Sequence, residues 1–118
     1  MVHALAALGG NAQLLATVVQ LVIDQSDVDM ATIRSDVAAK NTAALAASSH
    51  RLKGSLGAIA AEPAHQACSA LNKLARTGAA AGYAMGLAHL EAEIDRLLPT
   101  LQSWLVHNKT QGIEDEKS

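Results

Sequence analysis

Alanine is the commonest apolar residue of this chain, and side chains that favour strands are scarce after Val37. Aromatic residues are reduced to Tyr83 and Trp104, with no Phe. Alanine is the best helix former, whereas strands draw on β-branched and aromatic residues. An all-α fold follows. With 118 residues the chain is long enough for one domain and one core.

The charge pattern narrows the partners. A net charge of −2 and the absence of any basic tract give no reason to expect nucleic acid or an anionic membrane. The longest apolar run, Leu14 to Ile23, is interrupted by Gln20 and is too short to span a bilayer. The start of the chain lacks the charged region of a signal peptide, so the expected location is the cytoplasm. Cys68 is the single cysteine, which excludes an intrachain disulfide and suits a reducing compartment.

Helical periodicity divides the chain into segments. Met1 to Leu8 reads as a short apolar helix closed by Gly9-Gly10, and Asn11 suits the N-cap of the next. A first long helix is expected over Ala12 to Asp24, with Leu14, Leu15, Val18, Leu21 and Val22 at helical spacing. Ser26 or Asp27 is expected to cap a second, ending near Lys40. Asn41 or Thr42 caps a third, reaching about Ala60. Glu62-Pro63 breaks the chain and starts a fourth, which Gly78 stops. The fifth begins around Gly82. Its residues Leu87, Leu90, Ile94, Leu97, Leu101 and Trp104 step alternately by three and four, the seam of a helical bundle. Pro99 falls within that seam and is expected to bend the helix. Short connections favour antiparallel neighbours, hence an up-and-down antiparallel four-helix bundle with an additional N-terminal helical segment. Which of the early helices joins the four stays open. The domain is placed at residues 1–110, followed by a polar, disordered tail over 111–118.

The third helix carries the most informative face. At roughly 100° per residue, Ala43, Ala46, Ala47, Lys53, Gly54, Gly57 and Ala61 lie within about 60° of His50. Leu45, Ser48, Leu52, Ser55 and Ile59 occupy the opposite face and are expected to point into the bundle. His50 therefore stands outward on a surface reduced to Ala and Gly. Each mid-helix glycine costs roughly 1 kcal/mol relative to alanine. A reason to accept that cost is the close approach of another macromolecule to His50. Lys53, at i+3, shares the face and can stabilise negative charge gathering near the imidazole. An exposed imidazole near neutral pH offers an unprotonated nitrogen for attack. No GxxxxGK phosphate loop or nucleotide-binding βαβ pattern accompanies it. These features describe a carrier that receives phosphoryl groups and hands them on.

His50-Arg51-Leu52-Lys53-Gly54-Ser55 resembles the H-x-L-K-G-S motif of histidine-containing phosphotransfer (HPt) domains, modules of bacterial multistep phosphorelays. Leu8-Gly9-Gly10-Asn11 with Leu14-Leu15, CSALNKLARTG from Cys68 to Gly78, and LEAEIDRLLPTLQSWL from Leu90 to Leu105 extend the likeness to roughly residues 5 to 106. The resemblance implies a four-helix bundle with His50 as phosphoacceptor, Lys53 beside the phosphoryl group, and Gly54 leaving room for a receiver domain's aspartate pocket. Ala46, Ala47, Arg51 and Gly57 join Gly54 as expected docking residues, with Ser49 on the flank. One departure is Ile59-Ala60, where many members carry Leu-Gly; no functional residue is affected.

The implied partners are response-regulator receiver domains and a hybrid sensor kinase; the chain reads either as a domain excised from such a kinase or as a separate protein, with a monomer expected. No cofactor is expected on this chain, and Mg²⁺ belongs to the receiver. His3, His65, His89 and His107 lack paired ligand spacing, which argues against zinc. The rival reading is a docking module that binds a receiver or kinase domain through the Ala/Gly face without chemistry.

Overall fold

The computed structural model describes residues 12–117. Four helices follow one another: α1 (Ala12–Ala38), α2 (Thr42–Ala58), α3 (Glu62–Thr77) and α4 (Tyr83–Lys117), with a 3₁₀ turn at Ala80–Gly82 before the last. Each packs on its chain neighbour, and α1 closes the ring on α4. This is the expected all-α bundle. The segment Met1 to Leu8, the Gly9-Gly10 break and the Asn11 cap lie outside the described residues. Among the described residues no helix is long and apolar enough to cross a membrane.

The break expected at Ser26 and Asp27 is absent, so the first two expected helices are one. Leu15 and Ile33 are eighteen residues apart, five full turns at 3.6 per turn, so the two apolar stripes are one stripe in phase. Ser26 is buried, and its hydroxyl donates to the Val22 carbonyl at 2.6 Å. It satisfies itself one turn back and caps nothing. The question of which early helix joins the bundle is thereby resolved: both do, as α1.

The other boundaries match their signals closely. Asn41 caps α2, its side chain accepting the Ala44 N–H at 3.2 Å. Pro63 sits in the first turn of α3, and Gly78 ends it in the left-handed conformation at φ 70°. Helix α4 continues on both sides of Pro99. Its backbone stays helical through Lys117, past residue 111 where the polar tail was expected to start.

Leu15, Val19 and Ile33 of α1, Leu45, Leu52 and Leu56 of α2, Leu71 of α3 and Leu90 and Leu101 of α4 form the core, all fully buried. Tyr83 joins them, and its hydroxyl meets that of Thr42 at 3.0 Å. Ser55, expected inside, is only half-buried and donates to the Arg51 carbonyl of its own helix at 3.4 Å.

Ala60 turns the chain out of α2 at φ 54°, a left-handed conformation in which a Cβ crowds the following carbonyl. This is where the resembling family often carries glycine. Ala60→Gly is expected to stabilise the bundle by about 1 kcal/mol. A urea melt should show a higher midpoint with unchanged slope; a lower midpoint would contradict the strain argument.

Candidate functional site

The histidine face of α2 is exposed where the sequence placed it. His50, Ala47, Gly54 and Arg51 are exposed, while Ala46 and Lys53 are half-buried. A Cβ built on Gly54 meets nothing within 4 Å, so none of the described residues requires the glycine. Gly57 differs. A Cβ there would lie 3.5 Å from the His65 ring of α3, an ordinary contact. His65, read in sequence only as an unpaired histidine, thus borders the site.

Helix α3 supplies the second wall. A shallow depression at His50 is lined by Ala46, Ala47, Lys53, Asn72 and Arg76. Its neighbour is lined by Lys53, Ser69, Asn72, Lys73, Arg76 and Thr77. Lys53 and Arg76 therefore share the depression of the imidazole, Lys73 joins them in the adjoining one, and neither lining includes a carboxylate. Such a surface attracts an anion and does not repel a phosphoryl group.

Behind this face, α2 is tied down by side chains of α3. The Asn72 amide donates to the Ala46 carbonyl and to the Ser49 hydroxyl, both at 3.0 Å. Ser49 donates in turn to the Leu45 carbonyl at 2.7 Å. The Cys68 thiol donates to the Ser49 carbonyl at 3.1 Å. Three polar groups thus lock the turn that carries His50, and all are buried. Ser49 is consequently no flank residue: it is fully buried, because its position on the helix faces α3. Burial pushes the Cys68 thiol up from 9.0 to about 12, with the Lys53 ammonium partly opposing and Asp29 adding to the rise. It remains a neutral core thiol, as its stripe position suggested.

On the opposite side α1 approaches. Arg51 lies 3.6 Å through Nε from the buried carboxylate of Asp29. Ser48, also buried, donates to Asp36 at 2.8 Å. Sequence reasoning missed Asn72, Arg76 and Asp29. A partial signal for the first two existed: the break at Glu62-Pro63 folds α3 back along α2, where Asn72 meets Ala46 and Ser49. Among the described residues no group of three His, Cys, Asp or Glu side chains could hold a metal ion.

An outward imidazole on a rigid, cationic surface without bulk can accept a phosphoryl group presented by a large partner. No curated protein and no solved structure matches the chain. The family model described as the Hpt domain matches residues 17–100, which take in most of α1, all of α2 and α3, and the first half of α4. On that match the chain belongs to the Hpt domain family, whose general role is phosphotransfer in phosphorelays.

Proposed function

We propose that this chain is a phosphorelay intermediate in which His50 accepts a phosphoryl group from the phosphoaspartate of a receiver domain and passes it to another. The observation that carries the reading is the exposed His50 sharing a depression with Lys53 and Arg76, on a face cleared by Ala46, Ala47 and Gly54. An unprotonated imidazole nitrogen attacks phosphorus in line. The bond from phosphorus to the aspartyl oxygen breaks, the carboxylate leaves with its electron pair, and a P–N bond forms. The other ring nitrogen keeps its proton. Lys53 and Arg76 stabilise charge on the phosphoryl oxygens as they pass from one molecule to the other. Mg²⁺ belongs to the receiver side of the complex. The reverse reaction delivers the group to a second receiver.

The test is incubation with a radiolabelled, phosphorylated receiver. Label on this chain that is acid-labile and alkali-stable is the expected result. Binding without label would favour the docking-module reading. Lys53→Ala is expected to slow transfer about 100-fold without abolishing it, the lower end of the cost of removing one charge-stabilising donor. A Lys53→Ala rate equal to wild type would remove Lys53 from the mechanism.

A further inference from the structure

Asp29 has no part in the reading above. It lies in the middle of α1 with a side chain 1% exposed. A carboxylate withdrawn from water is costly unless its oxygens are well satisfied. Here one oxygen accepts from the Gln25 amide at 3.1 Å and faces Arg51 Nε at 3.6 Å. The other oxygen has no hydrogen-bond partner among the described residues. A helix that only had to fill the bundle would carry an apolar residue here, as at its neighbours Met30 and Ile33.

The partner explains the placement. Arg51 follows His50 in the chain and stands on the α1 side of the histidine face, more than half exposed. A guanidinium has five N–H donors in a rigid fork, and a contact through Nε leaves the terminal nitrogens for a second anion. An unanchored arginine would lose rotamer entropy on meeting a partner; one already held loses less.

Resting on the phosphorelay reading, we infer that Asp29 is a positioning residue for docking. It holds the Arg51 guanidinium at the α1 edge of the histidine face, where the free N–H groups meet the anionic surface around the partner's aspartyl phosphate. Lys53 and Arg76 guard the α3 edge, so the imidazole lies between cations on both sides.

A double-mutant cycle on transfer from a phosphorylated receiver to the full chain tests this. Asp29→Asn keeps the shape and an acceptor for Gln25 but removes the charge. It is expected to raise KM for the receiver about 5-fold with kcat nearly unchanged, and Arg51→Ala to do the same. The double variant should show no further increase, because Asp29 acts through Arg51. Should Asp29→Asn fold poorly, Asp29→Leu replaces it, an uncharged side chain of the kind a bundle interior accepts. Additive KM effects, or an unchanged KM in the charge-removed variant, overturn the inference while leaving the relay intact. A wild-type chain that takes no phosphoryl group in the same assay overturns both.

Discussion

His50→Gln is expected to abolish phosphoryl acceptance while leaving the bundle as stable as the wild type. Glutamine matches the length and polarity of histidine and has somewhat better helix propensity, so an exposed position tolerates it within about 0.5 kcal/mol. Its amide nitrogen, however, is no nucleophile. No group next to it can replace it: Lys53 is a cation, Ser49 is buried, the Cys68 thiol is a neutral core group, and His65 lies against Gly57, two helical turns along α2. Loss of the attacking atom should cost a factor of about 10³ or more, enough to remove the label from the gel. Circular dichroism and a thermal melt on the same sample separate this from unfolding. A glutamine variant that still takes label would move the acceptor away from α2 altogether.

Gly54→Leu is expected to push stability and function in opposite directions. In the folded chain the new side chain starts into open space, since a Cβ at this position meets nothing within 4 Å. Removing a glycine from the interior of α2 should then stabilise the bundle by roughly 0.5–1 kcal/mol. The same leucine stands about 40° around the helix from His50 and obstructs any partner that must bring a phosphoaspartate to it. Transfer should fall about 100-fold or more, as expected when reacting atoms cannot reach attack distance. Binding of the receiver, followed by titration, should weaken in parallel. A leucine variant that melts higher and still transfers normally would show that partners do not descend over Gly54.

The face itself was legible because it depends on a single helix. Periodicity places His50, Ala47, Gly54 and Lys53 together whatever the rest of the chain does. Residues contributed by other helices were harder to read, since they require the register of two helices at once. For Asn72 and Arg76 the proline break at least marked where α3 folds back on α2. For Asp29 no sharp hinge did, because the turn near Lys40 offers no comparable landmark; it uses a left-handed lysine at φ 53°. The expected break at Ser26 failed for a different reason. Serine beside aspartate is a capping signal only when the hydroxyl lacks a better acceptor, and inside a continuous stripe the carbonyl one turn earlier is available. Ser55 was misplaced by a smaller error, lying at the edge of the inward arc and not at its centre. Gly57, grouped with Gly54 by its angle, borders His65, which only the packing of α3 reveals.

Ala46, Ala47 and Gly54 have no rotatable side chains. A visitor landing on them freezes no rotamers and finds little to grip. Such a landing ground favours quick arrival and quick departure, which fits the proposed hand-over from one client to the next.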